Sequence, residues 1–346
     1  MKTSRKVLVS AAPFLLIPVA TVIASLVINP PWAGDRLAAA RGLKRPLVVA
    51  HRGASFYAPE LTLPSFALAR DIGADYIETD VQRTQDGVLI NFNDNNPSRT
   101  TDVEEVFPGR EKDPVSSFTW AELQRLDAGS WYNREHPDRA RKGFIGLRIP
   151  SFREYLDLLA SGRNRPGLLI ELKNPELYPN IEKEILAALR TGGWLDEQNN
   201  AVVIPSPRDA GTHVTIGLGP RRVIVQSFNE KSLAILKNLA PSVMRSYLVM
   251  EDINKKDRGF TQFLETARAL DAEMGLSGYL AFPWNVGAAH RAGSVVFVYT
   301  IDKKWHFMLF TLFGIDGMIT NRCDAYLDFI GRGVTAEPSR LLEQYD

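Results

Sequence analysis

The sequence lacks several features that would have narrowed its class at once. Cys323 is the only cysteine in 346 residues, so no disulfide can form within the chain, and an oxidising compartment is neither required nor excluded. The net charge of +1 at pH 7 gives no strong field toward nucleic acid, and we expect no nucleic-acid partner. No internal repeat or low-complexity segment is evident, so a repeat architecture is not indicated.

One long stretch lacks charge altogether. Residues 7–34 contain no Asp, Glu, Lys or Arg, and their strongly apolar part ends near Ile28. Roughly 20 apolar residues can span a bilayer, whereas the core of a cleavable signal is about 7–15 residues long. We therefore predict a signal anchor over residues 1–28 and a tether over 29–45, with the rest of the protein membrane-anchored outside the cytoplasm. The alternative is a signal peptide cleaved near 38–40 and a secreted or periplasmic product.

Charged residues recur at a spacing of two within apolar runs. Glu78 and Asp80 share one face of a predicted strand, and Glu171 and Lys173 share a face of a later strand. The runs are typical of buried strands, where a charge needs a partner. Because carboxylate clusters suit hard cations, we predict a Ca²⁺ or Mg²⁺ site at Glu78 and Asp80 that Glu171 could complete, with Lys173 facing an anion. The alternative is a pair of solvated strand faces.

Predicted strands alternate with predicted helices along most of the chain. The strands cover 47–50, 76–81, 88–92, 168–172, 222–226, 245–249, 295–300 and 316–319. The helices lie between Thr62 and Gly73 and at 119–126, 151–161, 181–192, 230–239, 259–271, 303–313 and 323–331. The alternation predicts one α/β (β/α)₈ TIM barrel of about 250 residues.

Three segments depart from this regular alternation. The third predicted strand follows the second after only QRTQDG, which is too short for a crossover helix. We place the barrel at 46–332 with an insertion at about 95–149, leave the stretch through Pro283 irregular, and predict a surface tail at 333–346. The apolar run 305–313 is predicted to be a buried helix of the barrel.

The same region carries an ordered set of motifs. The set resembles the glycerophosphodiester phosphodiesterase family through His51-Arg52-Gly53, Pro59-Glu60-x-Thr62, Gly73-Ala74-Asp75, Glu78-x-Asp80-Val81, Thr84-x-Asp86-Gly87, Arg99-Thr100-Thr101, Glu171-x-Lys173, Gln226-Ser227-Phe228 and 314–321. The resemblance implies a (β/α)₈ barrel, one divalent cation and hydrolysis of glycerophosphodiesters to an alcohol and glycerol 3-phosphate. A small-molecule phosphodiester, derived from a phospholipid, is the implied substrate.

The resemblance also implies a role for each residue at the mouth of the barrel. His51 would move a proton, and Glu78, Asp80 and Glu171 would hold the metal. The residues implied to contact the substrate are Arg52, Lys173, Glu60, Phe228 and Tyr299. Asn93 stands where the family has a second catalytic histidine, and an amide cannot exchange a proton near neutral pH.

Three hypotheses follow from this set of residues. The first is an active metal-dependent phosphodiesterase, the second a catalytically impaired member that acts as a binding or regulatory protein, and the third a membrane-tethered scaffold. Head-group preference and oligomeric state stay open. We further expect Trp131, Tyr132 and His136 to line the mouth, and three other histidines to be structural or solvated: His213, His290 and His306.

Overall fold

The structure is a computed structural model that describes residues 32–207, 211, 213–250 and 258–346, together with Ile23, Val27 and Pro30. The predicted anchor or signal at 1–28 therefore lies almost wholly outside the described residues. Within the part of the chain that is described, no helix combines the length and the apolar character needed to cross a bilayer.

Eight parallel strands close into a barrel. They are β1 (Leu47–Ala50), β2 (Tyr76–Arg83), β4 (Gly167–Leu172), β5 (Val223–Ser227), β6 (Met244–Val249), β7 (Glu273–Ser277), β8 (Val296–Tyr299) and β9 (Gly317–Thr320). The order runs β1-β9-β8-β7-β6-β5-β4-β2, and pairing of β1 with β2 closes the ring. The predicted (β/α)₈ architecture is confirmed.

Two of the predicted strand positions need correction. The third predicted strand, β3 (Leu89–Asn91), pairs antiparallel with β2 and is therefore not a member of the barrel. The missing barrel strand is β7, in a stretch that we predicted to be irregular. Gly275 and Glu273 interrupt its apolar pattern, and the glycine leaves room for Leu248 on β6, because a Cβ at 275 would lie 2.6 Å from Leu248 Cδ2.

Helices cover the outside of the barrel and form parts of its connections. They are α1 (Asp35–Ala40), α2 (Leu63–Ile72), α3 (Val103–Val106), α4 (Trp120–Leu123), α5 (Ser130–Glu135), α6 (Phe152–Leu159), α7 (Ile181–Thr191), α8 (Glu230–Leu239), α9 (Phe260–Ala269), α10 (Pro283–Arg291), α11 (Lys304–Leu312), α12 (Cys323–Phe329) and α13 (Pro338–Leu342). The predicted helices agree with these bounds to within a few residues, and the helices that were not predicted are α1, α3, α5, α10 and α13.

The N-terminal ends of the strands are covered by the segment predicted as a tether. Ala38 of α1 and Leu43 are buried in an apolar cluster with Leu47 at the start of β1. Arg45 Nε pairs with Asp316 Oδ1 at 3.0 Å, just before β9. From α1 onward this segment is therefore a packed floor of the barrel, and the tether prediction is wrong there.

The insertion and the C-terminal tail are also packed. Phe92, Val103 and Phe118 belong to a separate hydrophobic cluster that the insertion forms beside the barrel. The tail was predicted to be surface, yet Leu342 of α13 is buried and the ring of Tyr345 lies 5.5 Å from that of Phe144. The tail therefore lies on the surface as predicted, but Leu342 and Tyr345 pack against the core and the insertion.

The α11 helix is buried on one face only. Phe307 and Phe310 lie in the core. Trp305, Met308 and Leu312 are 51%, 59% and 43% exposed. The prediction of a buried helix therefore holds only for the face that carries Phe307 and Phe310.

Candidate active site

The predicted site residues converge at the C-terminal ends of the first barrel strands. His51 follows β1, Glu78 and Asp80 lie in β2, and Glu171 lies in β4 with Lys173 just beyond its end. Asp80 is directly opposite Glu171 in the β2–β4 register. Because all barrel strands are parallel, these ends form one face, the mouth of the barrel.

Three buried carboxylates form the centre of the mouth. Glu78, Asp80 and Glu171 each offer one oxygen within 4.8 Å of the others. Burial and the negative charges of Asp80 and Glu171 raise the pKa of Glu78 well above its usual range, although Arg52 opposes the shift. Burial also raises the pKa of Glu171, against the effect of Lys173. The protein alone therefore does not fully compensate the negative charge that it gathers here.

Two cationic side chains flank the carboxylates. Arg52 Nε lies 3.2 Å from Asp80 Oδ2, and Lys173 Nζ lies 3.5 Å from Asp80 Oδ1 and 2.5 Å from Glu171 Oε1. Both buried oxygens of Asp80 accept no hydrogen bond from the described residues. Three carboxylates against two cations leave one negative charge, and these oxygen donors fit a hard divalent cation.

His51 is oriented by a hydrogen-bonded chain from the last two strands. Its Nδ1 lies 2.8 Å from Asn321 Oδ1, and Asn321 Nδ2 donates to Asp302 Oδ2 at 2.7 Å. Since an amide oxygen only accepts, Nδ1 carries the hydrogen and Nε2 is left to take a proton. Burial and the charge of Arg52 lower the pKa of His51 to about 4, so the ring is a neutral base at neutral pH. Neither Asn321 nor Asp302 was assigned a role from the sequence.

Five side chains, including Arg52 and Asn93, form a closed ring of hydrogen bonds. Arg52 Nη1 donates to Glu60 Oε1 and Nη2 to Asn93 Oδ1, both at 2.8 Å. Asn93 Nδ2 donates to Asp94 Oδ1 at 2.7 Å, Asp94 Oδ2 accepts from Arg99 Nε at 2.5 Å, and Arg99 returns to both oxygens of Glu60. We call these five residues the Arg52 ring. Arg99 belongs to one of the family motifs, but no role was predicted for it from the sequence.

Glu60 holds arginines in the structure. Its burial favours the protonated form, but the hydrogen bonds from Arg99 and the charge of Arg52 outweigh this and lower its pKa to about 2. Glu60 is therefore ionised at neutral pH and makes ion pairs with both arginines. Its contact with a substrate, which the family resemblance implied, stays a prediction.

The two aromatic residues assigned to the substrate lie beside Lys173. Lys173 Nζ is 6.0 Å from the centre of the Phe228 ring, and that ring meets Tyr299 edge-on at 6.2 Å. Tyr299 Oη donates to the Val249 carbonyl at 2.9 Å. Phe228, Lys173 and Glu171 line a cleft of about 400 Å³ together with Ser227, Leu248 and Met250. This cleft can accept a substituent of a phosphodiester bound at the carboxylates.

The aromatic residues of the insertion that were expected at the mouth are packed. Trp131 and Tyr132 are buried in the main hydrophobic core, and the Tyr132 ring lies 5.8 Å from that of Phe144. Trp131 is also a neighbour of the mouth, because the guanidinium of Arg99 in the Arg52 ring lies 5.8 Å from the centre of its ring. His136 meets the Tyr132 ring edge-on at 4.7 Å, and a lining role for these residues stays a prediction. His290 Nε2 bonds Asp316 Oδ2 at 2.8 Å on the barrel floor, in line with its predicted structural role.

The geometry defines a class of enzyme. A (β/α)₈ barrel whose mouth combines a carboxylate cluster, two cationic side chains and a neutral histidine is suited to cleaving a phosphate ester. Residues 51–325 match the model described as the glycerophosphoryl diester phosphodiesterase family. The chain therefore belongs to this family of phosphoric diester hydrolases.

Individual relatives agree with this assignment. A glycerophosphodiester phosphodiesterase of Bacillus subtilis is 30% identical over 283 residues, which cover 82% of this chain and 85% of the relative. The solved phosphodiesterase of Oleispira antarctica, in complex with the product sn-glycerol-3-phosphate, is 26% identical with a TM-score of 0.61 and covers 83% of this chain and 97% of its own. The solved glycerophosphodiester phosphodiesterase of Agrobacterium tumefaciens is 26% identical with a TM-score of 0.58, and the match covers 82% of this chain and 99% of the relative. Family, fold and enzyme class are thus confirmed.

Proposed function

We propose that the protein hydrolyses glycerophosphodiesters to an alcohol and glycerol 3-phosphate, and that this activity depends on one divalent cation. The observation that carries the proposal is the cluster of Glu78, Asp80 and Glu171 with Arg52 and Lys173 against it. The product found in the Oleispira antarctica relative supports the choice of product. Ca²⁺ and Mg²⁺ both match the oxygen donors.

The residues of the mouth divide the work between charge and proton transfer. Arg52 and Lys173 hold phosphoryl oxygens, the first by its planar fork and the second as a point charge. His51 Nε2 accepts the proton of the attacking oxygen as that oxygen bonds to phosphorus. When bound at the three carboxylates, a divalent cation would supply Lewis-acid stabilisation of the negative charge on the phosphoryl oxygens.

The leaving alcohol has no proton donor at position 93. As the P–O bond breaks, the alkoxide needs a proton, and the Asn93 amide cannot supply it. Turnover on alkyl diesters is therefore slow in our proposal. A binding or regulatory protein without turnover is the alternative, and the presence of His51 with its Asn321–Asp302 support argues against it.

We propose phospholipid-derived diesters as the substrates and the membrane as the location. The cleft beside Phe228 supports an organic substituent on the phosphate. The uncharged run 7–34 supports an anchor with the barrel outside the cytoplasm, and a cleaved signal with a secreted or periplasmic product is the alternative.

The test is an assay of metal-stripped protein on a panel of glycerophosphodiesters, with glycerol 3-phosphate as the measured product. We expect product only after Ca²⁺ or Mg²⁺ is added, and none from Glu78→Gln. The matched control is Glu273→Gln, which changes a buried glutamate on the barrel floor that pairs with Arg41 at 2.7 Å. Full activity without added cation, or equal loss in both variants, contradicts the proposal.

A further inference from the structure

Both polar atoms of the Asn93 amide have a partner within the Arg52 ring. Its oxygen accepts from Arg52 and its nitrogen donates to Asp94, at 2.8 and 2.7 Å. Each half of the amide therefore has a protein partner, and the two partners lie on opposite sides of it in the ring. This arrangement uses the side chain to fix the arginine, which is a different task from proton transfer to an alcohol.

Arg52 is fixed from every side. Its three guanidinium nitrogens face Glu60, Asn93 and Asp80. Its backbone N–H donates to Glu78 Oε2 at 2.7 Å, and its φ of 56° is left-handed, which is uncommon for a side chain of this size. These contacts leave one N–H on each terminal nitrogen for a ligand, and an arginine that is already oriented loses less entropy when it binds.

Arg99 closes the ring at its far side. It binds Asp94 through Nε and Glu60 through both terminal nitrogens, so one planar group joins two carboxylates. A lysine has a single ammonium group in place of this fork and cannot reproduce the joint contact. Residues 93–99 follow β3, so the hairpin of β2 and β3 is what carries this part of the ring to the mouth.

We propose that Asn93 and Arg99 are positioning residues that orient the guanidinium of Arg52 toward the phosphate of the substrate. In this chain position 93 contributes to phosphate binding through Arg52 and takes no part in protonating the leaving group. The proposal rests on the proposed function, since it assumes that a phosphate binds at the mouth. Neither residue needs to touch the substrate.

The first experiment compares Arg99→Lys with Arg110→Lys. Arg110 lies in the same insertion, where it binds Asp113 and Glu122 away from the mouth, so its replacement controls for the loss of a surface ion pair. Calorimetry with sn-glycerol 3-phosphate, in the presence of Mg²⁺, should show binding about tenfold weaker in Arg99→Lys and unchanged in the control. KM should rise in parallel, while the affinity for Mg²⁺ and the Tm should match those of the control.

The second experiment tests the ring as a unit. Asn93 and Arg99 share no hydrogen bond with each other, yet both belong to the ring. Asn93→Asp keeps the shape of the side chain but loses the donor to Asp94. If either change opens the ring, the double variant should bind sn-glycerol 3-phosphate about as weakly as the weaker single variant.

The outcomes separate the two proposals. Wild-type binding in Arg99→Lys, or effects of the two changes that multiply, overturns the ring proposal and leaves the proposed function intact. A wild-type protein that hydrolyses no diester and binds neither Mg²⁺ nor sn-glycerol 3-phosphate overturns the proposed function, and the ring proposal with it.

Discussion

Replacing Asn93 by histidine separates two tasks that a side chain at this position can perform, which are orienting Arg52 and delivering a proton. Asn93→His brings a group that can carry a proton to the mouth, but it removes the amide oxygen that accepts from Arg52 Nη2 at 2.8 Å. The substitution therefore acts on proton delivery and on phosphate binding separately. The first governs kcat for alcohols that leave poorly, and the second governs KM for every diester.

The expected sizes follow from these two changes. General acid catalysis contributes at least ~10²-fold, so kcat on an alkyl diester such as glycerophosphocholine should rise by about that factor. The lost hydrogen bond to a charged group is worth about 1.5 kcal/mol, so KM should rise about tenfold. The ratio kcat/KM should then rise about tenfold for an alkyl diester and fall about tenfold for an aryl diester, whose leaving group needs little protonation.

The assay is steady-state kinetics on one alkyl and one aryl glycerophosphodiester at saturating cation. Asn200→His is the control, because Asn200 is exposed on the loop after α7 and bonds only Asp196 among the contacts of its side chain in the described structure. Equal gains on the two substrates would refute the argument about protons. A wild-type enzyme that is already fast on the alkyl diester, and that Asn93→His slows, would show that another group delivers the proton.

Three further predictions concern the metal, the base and the N-terminus. Calorimetry should show uptake of Ca²⁺ or Mg²⁺ by metal-stripped protein that disappears in Glu78→Gln, and uptake that persists there contradicts the metal site. Because burial and Arg52 lower the pKa of His51 to about 4, the ring stays neutral down to that pH, so kcat/KM should fall only well below the ordinary histidine pKa of 6.5; a loss of activity centred at 6.5 contradicts this. Cell fractionation should place the mature protein on a membrane, whereas a soluble product that begins beyond Ala38 would show a cleaved signal.

Local periodicity was sufficient to predict the carboxylate cluster. Glu78, Asp80 and Glu171 sit in apolar runs whose alternation is readable over a few residues, and parallel strands bring their ends together without further information. β7 was missed for the same reason, because Gly275 and Glu273 interrupt that local pattern. The glycine's closest neighbour is Leu248, which lies on another strand and cannot be read from the local sequence.

Contacts between distant residues could not be predicted. The support of His51 by Asn321 spans 270 positions, and that of Arg52 by Asn93 spans 41. The family resemblance places Asn93 where a histidine could carry a proton, but the local sequence does not show that Asn93 is a hydrogen-bond partner of Arg52. The segment before β1 was predicted as a tether for a similar reason, since the contact that packs it on the barrel joins Arg45 to Asp316, which is far away in the sequence.

The packed floor also fixes how the enzyme can be held. The described chain reaches the barrel through α1, whose Ala38 lies against the N-terminal ends of the strands, while the carboxylates open at the other end. Whatever is joined ahead of Trp32, whether a lipid-embedded segment, a fusion partner or a sensor chip, is therefore attached on the side of the barrel opposite the mouth, and it does not occupy the face that substrate must reach.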